Sequence, residues 1–356
     1  MDYIDIKGFK SIKNLHLELK PINVLIGANG AGKSNFISFF NFLKTAYDQQ
    51  LQYLVAKKGG VNHFLHNGRK QTQEIFAELS FSSGSYTNLY SFTLATGDTS
   101  FFVFKEVLGY NGENIVYTNT SSELSIKQDT RYRADFIRTY LNNLSVYHFH
   151  ETGEQSPFNQ DVRIDDYFVL QKYGANLSAF LYNLQLNNRI IYNRIVKVIQ
   201  SIAPYFLDFD LRPNMEGSEY IRLAWKDKYS ENRYGATDLS DGTIRFIALT
   251  ALFLQPNPPA VIIIDEPELG LHPFAIDKLA GLIQAAANKG TQTIISTQSV
   301  ELVNCFNPED IITVDNVNGE STFERLDSNK LKVWIDDYAV GDMWRQNILR
   351  KGFPNK

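Results

Sequence analysis

The stretch Ile22-Asn-Val-Leu-Ile26, Gly27-Ala-Asn-Gly-Ala-Gly-Lys-Ser34, Asn35-Phe-Ile37 decides how the rest of the chain is interpreted. An apolar, β-branched run precedes a loop that matches G-x-x-x-x-G-K-S, and an amphipathic segment follows the loop. This order of strand, glycine-rich loop and helix is that of a P-loop, whose backbone N–H groups bind phosphate at a helix N-terminus. The chain is therefore expected to bind a nucleoside triphosphate.

The side chains of this loop are expected to bind the phosphates and the metal ion that accompanies them. Lys33 would reach the β- and γ-phosphates, and the Ser34 hydroxyl would coordinate Mg²⁺. The predicted nucleotide-binding residues of the loop are Asn29, Gly30, Ala31, Gly32, Lys33, Ser34 and Asn35.

Composition limits the remaining possibilities. The 356 residues exceed the usual size of a single core, so a nucleotide-binding domain with a substantial subdomain, or two lobes, is expected. A net charge of −4 excludes a basic footprint over the whole chain, so any contact with DNA needs a local patch. The single cysteine, Cys305, excludes a disulfide framework. No apolar run approaches the ~18 residues that a membrane span needs, so we expect a soluble, cytoplasmic protein without membrane contact.

The N-terminal part of the sequence predicts a hairpin, a helix and a basic loop. Residues 2–20 alternate between apolar and polar, and the turn of this hairpin would place Lys10 near the phosphate site. Lys10 is then either a nucleotide contact or a solvated turn lysine. A single helix is expected over residues 34–56. In the basic loop after it, His63 and His66 share their spacing with no cysteine or carboxylate, which argues against a metal site.

The middle of the chain predicts a β meander followed by helices. Alternation from Glu74 to about Val116 is typical of antiparallel strands joined by tight turns. Residues 129–143 predict a helix whose three arginines form either a patch for the DNA backbone or a solvated face; they are Arg131, Arg133 and Arg138. A helical pair that ends at Pro204 predicts a compact lid, since no stretch sustains the heptads of a coiled-coil arm.

A second anion site is predicted at Leu239-Ser-Asp-Gly-Thr243, which opens a strongly apolar helix. Ser240 and Gly242 would lie at the helix N-terminus, where backbone N–H groups favour negative charge. This site has no lysine comparable to Lys33.

Two further buried strands end in polar residues. Val261-Ile-Ile-Ile264 leads to Asp265-Glu266, which is the Walker B pattern. Asp265 would hold Mg²⁺ through water, and Glu266 would polarise the attacking water as the catalytic residue. The next strand leads to Gln298, which is placed to sense the γ-phosphate as a second catalytic residue.

Together these motifs resemble the ABC-type ATPases of the RecF, SMC and OLD group. The resemblance rests on Gly-Ala-Asn-Gly-Ala-Gly-Lys-Ser, Leu-Ser-Asp-Gly-Thr, Ile-Ile-Ile-Asp-Glu-Pro-Glu and Ser-Thr-Gln-Ser, and on the opening Ile-Lys-Gly-Phe-Lys-Ser-Ile. It covers residues 1–40 and 235–315. Glu-Leu-Gly-Leu-His-Pro and the closing residues 336–344 are similar to small bacterial ATPases encoded in defence or mobile-element operons.

The resemblance implies ATP and Mg²⁺ as cofactors and a composite site. In that group the signature loop of one subunit caps the γ-phosphate on the P-loop of another. Ser240 and Gly242 would therefore act in trans, in an ATP-dependent homodimer or with a related ATPase head. Asp241 adds a negative charge near the phosphates, so weaker closure is expected. Gln298 stands where many relatives have a histidine, so its amide is expected to sense the γ-phosphate while hydrolysis is slow.

The position of the Q-loop glutamine that this group carries is not fixed by the motifs. Gln71 and Gln73 are the candidates in the sequence.

The resemblance predicts an α/β fold: an ABC-type P-loop ATPase head with a mixed sheet, an antiparallel β-subdomain and a short helical lid. The expected divisions are 1–56 (hairpin, Walker A and first helix), 57–128 (β insertion), 129–230 (helical lid and connecting strands), 231–315 (signature, Walker B and switch) and 316–356 (C-terminal extension).

The leading functional hypothesis is an ATPase switch that signals to DNA or to an effector protein in anti-phage defence. About forty residues follow the last strand, too few for a nuclease domain of typical size, so a nuclease or toxin effector would be a separate protein. The alternative is a RecF-like DNA-repair ATPase that clamps duplex DNA. A basic groove would favour it, formed by the arginines of 131–138 with Lys57, Lys58, Arg69 and Lys70. A transporter subunit is disfavoured by the long β-rich segment between P-loop and signature.

Overall fold

Buried β-branched runs form the central sheet of the computed structural model, which describes residues 1–117, 120–213, 219–329, 331, 338–346 and 349. Five strands are parallel, and they run almost wholly buried, as the continuous apolar sequence predicts. They are β3 (Ile22–Ile26), β8 (Ser145–Tyr147), β14 (Val261–Asp265), β15 (Gln292–Ser296) and β16 (Ile311–Val317). β17 (Glu320–Arg325) pairs antiparallel with β16 at one edge, so the sheet is mixed.

The strand order of this sheet, β17-β16-β3-β15-β14-β8, brings distant motifs to one edge. β15 lies between β3 and β14 and is parallel to both. In this register Asp265 lies opposite Ser296, and Ser296 lies opposite Leu25. The P-loop, Walker B and the Gln298 segment therefore leave the sheet side by side at its carboxyl edge, where open α/β sheets bind ligands.

A second sheet of six antiparallel strands has the order β2-β1-β4-β5-β6-β7. It contains the predicted hairpin, β1 (Tyr3–Phe9) and β2 (Ile12–Glu18), and the predicted meander, β4 (Glu74–Ser83), β5 (Tyr86–Thr96), β6 (Phe101–Tyr110) and β7 (Glu113–Tyr117). β1 also pairs with β4, with Ile6 opposite Ala77. Hairpin and meander thus form one continuous sheet, whereas the proposed division of the chain at residues 56 and 128 stays a prediction.

The expected single helix over 34–56 is wrong, because the chain forms α1 (Lys33–Tyr47) and α2 (Leu51–Lys57). Gln49, between them, has a left-handed backbone with φ 64°. The Glu123 carboxylate accepts hydrogen bonds from the backbone N–H groups of Leu51 (3.0 Å) and Gln52 (3.1 Å). A side chain far along the sequence therefore caps the start of α2.

Helices cover the face of the central sheet that lies opposite α1 and the second sheet. The predicted lid pair, α4 (Leu177–Asn187) and α5 (Arg189–Ile202), is present, and α5 packs on α6 (Asp241–Leu254), which packs on α7 (Pro273–Ala287). The remaining elements are α3 (Tyr132–Asn142), α8 (Val300–Val303), α9 (Val340–Arg345), β9 (Val162–Arg163), β10 (Phe206–Phe209), β11 (Tyr220–Ile221), β12 (Ala224–Asp227) and β13 (Arg233–Gly235).

Hydrophobic side chains form one core on each face of the central sheet. Val24 and Ile26 point to the core shared with α4 to α7, whereas Leu25 points to the core shared with α1 and the second sheet. The longest helices in the described part of the chain have 15 residues, so the predicted α/β head with a short lid is confirmed. Among the described residues, no helix has both the length and the apolar character to cross a membrane.

We expect Glu123→Ala to lower the free energy of unfolding by about 1 kcal/mol, because two backbone N–H groups of α2 lose their acceptor. Glu231→Ala, on an exposed turn, is the matched control and should leave stability unchanged. Urea unfolding of both variants measures the difference. Equal stability of the two variants would show that the cap contributes nothing.

Candidate functional site

The P-loop is pressed against β16 and the edge strand β17. A Cβ atom on Gly27 (φ 154°) would overlap the carbonyl oxygen of Val314, and one on Gly32 (φ 118°) would overlap the Ser321 hydroxyl. Ser321 also donates a hydrogen bond to the Ala31 carbonyl at 2.6 Å. The loop therefore needs glycine at both positions, and its shape is set before any ligand binds.

Lys33 lies buried inside this loop. Its Nζ donates hydrogen bonds to the carbonyl oxygens of Gly27 (2.7 Å) and Ala28 (3.3 Å). Burial lowers the pKa of Lys33, and the carboxylates of Glu266 and Asp265 are the largest opposing influence. The ammonium group is thus held within the loop, where it could donate hydrogen bonds to a phosphate oxygen.

A cavity of about 140 Å³ lies between the P-loop and the ends of β14 and β15. It is lined by Ala28, Asn29, Gly30, Gly32, Lys33, Ser34, Asn35, Glu266 and Gln298. The structure therefore brings most of the predicted P-loop residues together with both predicted catalytic side chains. Typical small-molecule pockets have a volume of ~300 Å³ or more, so this cavity suits the phosphate end of a nucleotide.

A wider cavity of about 410 Å³ adjoins the same loop. Its lining is Ala28, Asn29, Gly30, Ala31, Asp315, Asn316 and Val317. Ala31, the one predicted loop residue outside the phosphate cavity, lines this second space. Both cavities share three P-loop residues, so the loop is accessible from two sides.

Of the two predicted metal ligands, Ser34 lines the phosphate cavity, whereas Asp265 lines neither cavity. Asp265 ends β14 and accepts a hydrogen bond from the Ser296 hydroxyl, its neighbour in the parallel register. In the described part of the chain, no group of three or more His, Cys, Asp or Glu side chains is placed to hold a metal. A single hydroxyl and a single carboxylate suit Mg²⁺, which keeps several waters and takes phosphate oxygens as further ligands.

Glu266 has an unusual backbone that directs its side chain into the cavity. Its φ is +45°, a region that glutamate seldom occupies. Its N–H donates to the Ser296 carbonyl at 2.9 Å, and its carboxylate accepts a hydrogen bond from Gln298 Nε2. The pairing holds the carboxylate and the amide in one orientation, as a base and its positioning partner require.

Glu268, for which the sequence predicts no role, joins the Walker B segment to the segment that follows β15. Its carboxyl is buried, and Oε1 accepts hydrogen bonds from Thr297 Oγ1 (2.5 Å) and the Gln298 backbone N–H (3.1 Å). Oε2 is buried without a partner among the described residues. Burial raises the pKa of this carboxyl. The only available signal was its place in Asp-Glu-Pro-Glu, which does not reveal burial.

The sequence motifs also do not predict a role for Arg245. It lies buried in α6, and its guanidinium donates to the carbonyl oxygens of Phe149 (2.8 Å), His150 (2.9 Å) and Leu269. The helix that begins at the signature is thereby tied to the segment after β8 and to the segment after Walker B. An arginine inside an otherwise apolar helix was the signal that could have found it.

The segment after β8 brings a histidine to the Walker B edge. β8 is parallel to β14 with Tyr147 opposite Ile264, so His148 leaves the sheet beside Asp265. Burial lowers the pKa of His148, and the Asp265 carboxylate opposes that shift. Gln71 and Gln73, the candidates for the Q-loop, lie on an exposed stretch before β4 and line neither cavity.

Lys10 lies in the hairpin turn with φ 47°, and its Nζ donates to Ser38 Oγ on α1 at 2.7 Å. Next to it, Asn35 Nδ2 donates to Ser11 Oγ at 2.7 Å. Lys10 lines neither cavity, so its contact with a nucleotide stays a prediction. In the basic loop, His66 is hydrogen-bonded to the Lys10 carbonyl, which places this loop against the turn.

The signature lies outside both cavities. Ser240 is the N-cap of α6, and its Oγ accepts a hydrogen bond from the Thr243 N–H at 3.2 Å. A Cβ on Gly242 would overlap the Gly270 carbonyl oxygen, so the start of α6 packs tightly on the segment after Walker B. Neither Ser240 nor Gly242 lines the P-loop cavities of this chain.

The three arginines of the predicted basic patch are all in ion pairs. Arg131 pairs with Asp129, Arg133 with Glu113 and Arg138 with Asp135, at 2.6 to 2.8 Å. Their charge is therefore largely neutralised within the chain.

Comparison with known proteins agrees with this geometry. Residues 22–304 match the model of a family described as "AAA domain, putative AbiEii toxin, Type IV TA system". The chain belongs to this family. The match spans the P-loop, the signature, Walker B and Gln298.

Solved structures show the same fold at low sequence identity. An SMC head bound to the C-winged helix domain of ScpA is 16% identical, with a TM-score of 0.64, covering 93% of this chain and 99% of that one. An SMC head with an extended coiled coil, bound to the C-terminal domain of ScpA derived from Pyrococcus furiosus, is 14% identical, with a TM-score of 0.61 and coverage of 94% and 98%. Together with the family match, these structures confirm the fold that the resemblance predicts, that of an ABC-type ATPase head.

A curated relative shares only a short segment. The tungstate uptake system ATP-binding protein TupC of Campylobacter jejuni is 36% identical over 70 residues, which are 20% of this chain and 19% of that protein. The chain thus covers about a fifth of this relative.

The raised pKa of Glu268 predicts a pH-dependent stability. Because the folded carboxyl binds its proton more tightly than the unfolded one, stability falls as the pH rises through and above 4.5, the ordinary pKa of a glutamate side chain. Glu268→Gln removes this dependence and should therefore gain stability over the parent as the pH rises from 4 to 8. Urea unfolding at several pH values measures it, and a difference independent of pH would contradict the assignment.

Proposed function

We propose that the chain binds ATP with Mg²⁺ and hydrolyses it as a molecular switch. The observation that carries this proposal is the cavity where Lys33 and Ser34 meet Glu266 and Gln298. Mg²⁺, when bound, would neutralise charge on the phosphates. Lys33 would bind the terminal phosphates, Ser34 and Asp265 would hold the ion, and Asn29 to Asn35 would surround the phosphate oxygens.

Glu266 is proposed to orient and polarise the attacking water. Its carboxylate already lies in the cavity, held by the Gln298 amide. Gln298 would lie beside the γ-phosphate and report its presence to the β15 segment. An amide cannot exchange a proton as a histidine can, so we propose slow turnover.

The cap of the γ-phosphate is proposed to come from a second copy of the chain. Ser240 and Gly242 line neither P-loop cavity, whereas their position at a helix N-terminus suits an anion. Two ATP molecules would then be buried between two heads, so ATP shifts the population toward the dimer and hydrolysis releases it. Asp241 would weaken this closure by repelling the phosphates.

We propose that the switch acts on an effector protein in anti-phage defence. The family description names a putative toxin and a toxin–antitoxin system, and the SMC heads of the same fold are described as bound to parts of ScpA. A separate nuclease or toxin is the class of partner we propose. A RecF-like clamp on duplex DNA has less support, because the arginines of α3 and its N-cap are paired with carboxylates.

Mixing two inactive variants tests the composite site. Lys33→Ala removes phosphate binding but leaves the signature intact. Ser240→Asp keeps an N-cap acceptor but sets a negative charge against the γ-phosphate. Each variant alone should lose ATP turnover, and a 1:1 mixture should recover up to about a quarter of the parent rate, because half the dimers carry one complete site.

Doubly substituted Lys33→Ala, Ser240→Asp protein, mixed with either single variant, is the matched control. Adding it to Ser240→Asp leaves no intact signature, and adding it to Lys33→Ala leaves no intact P-loop, so no site is complete. Phosphate release is the measurement. A mixture of single variants that stays as inactive as these controls would contradict completion in trans.

A further inference from the structure

A cavity of about 470 Å³ lies between α3 and the strands β5 and β6, and it shares no residue with the phosphate site. Its volume lies within the range of pockets that bind small molecules or short peptide segments. Four of the residues that line it are aromatic: Tyr86, Tyr110, Tyr132 and Phe136. Nothing in the ATPase mechanism uses this site.

Three of the rings that line this aromatic cavity are largely exposed, although some of them also pack against neighbouring side chains. Tyr132 is 93% exposed, Tyr86 53% and Phe136 42%. Tyr86 and Tyr110 stack nearly parallel, with ring centroids 5.8 Å apart and an interplanar angle of 14°. Large apolar side chains exposed together at one place mark interaction sites on soluble proteins.

One buried polar group faces the cavity without a partner. Asn88 lies on β5, is only 7% exposed and lines the cavity floor. In the part of the chain that the structure describes, its side-chain amide makes no hydrogen bond. The cavity therefore offers the donor and the acceptor of this amide to a ligand.

The charges at the cavity are neutralised. Arg133 pairs with Glu113 at 2.7 Å and also covers the Tyr110 ring at 5.4 Å. Asp135 pairs with Arg138 at 2.8 Å. No unpaired cation among the described lining residues is available for a phosphate, which a nucleic acid would require.

We propose that this aromatic cavity binds an uncharged, proline-rich segment of a partner protein. A polyproline II segment presents flat apolar rings, and its backbone carbonyls have no internal hydrogen bonds. Aromatic-lined grooves bind such segments, with the rings packed against prolines. The Asn88 amide donates to one backbone carbonyl of the segment. The proposal does not depend on ATP binding or hydrolysis.

Titration of the full chain with a decaproline peptide tests the proposal, with isothermal calorimetry and tyrosine fluorescence as readouts. We expect saturable binding that Tyr132→Ala and Tyr86→Ala each weaken by about tenfold or more, as for other aromatic anchors. Tyr229→Ala is the matched control, because this ring is 85% exposed on the turn between β12 and β13. It should leave the affinity unchanged.

Three results would overturn the proposal. The first is no saturable binding of decaproline, and the second is an equal loss of binding in Tyr229→Ala. The third is binding of single-stranded oligothymidylate in place of the peptide, with the same sensitivity to Tyr132→Ala. Circular dichroism of each variant verifies the fold, and the exposure of Tyr132 makes its removal harmless to the core.

Discussion

The parallel pairing of β3, β15 and β14 is the constraint on which the rest of the site depends. Because these strands share one direction and one register, Asp265, Ser296 and the start of the P-loop reach the same edge together. The hydrogen bond from Ser296 to Asp265 fixes the Walker B carboxylate at that edge. A shift of one residue in any of these strands would turn alternate side chains to the opposite core and separate the motifs.

Several charged groups are buried around this edge, and each is held by named partners. Lys33 donates to carbonyls of its own loop, Glu268 accepts from the β15 segment, and Arg245 donates to three carbonyls of two other segments. A buried charge is costly unless it is hydrogen-bonded, so these segments are expected to move together. These contacts connect the Gln298 segment to the signature helix through Glu268 and Arg245, which is the route that the proposed switch requires.

The parts of this structure that the sequence predicts are those set by local pattern. Continuous apolar runs identify the buried strands, alternation identifies the meander, and the motifs name Lys33, Asp265 and Glu266. The parts it does not predict depend on distant contacts. Glu123 caps α2 and divides the expected helix, and β1 joins the meander through pairing with β4.

The other features that the sequence does not predict also depend on distant contacts. β8 has only three residues, too few for a pattern to show that His148 reaches Walker B. The burial of Glu268 and Arg245 and the left-handed backbone of Glu266 follow from packing and not from local propensity. The trans role that the resemblance implies for Ser240 and Gly242 stays a proposal, because it involves a second chain.

The mass of the Glu266→Gln variant in solution, with and without ATP and Mg²⁺, tests the central claim most directly. This variant should bind ATP without hydrolysing it, so ATP should convert a 40.6 kDa monomer into a dimer of twice that mass. Lys33→Ala, which cannot bind the phosphates, should stay monomeric under both conditions. If Glu266→Gln has the same mass with and without ATP, the chain is not an ATP-driven dimerising switch.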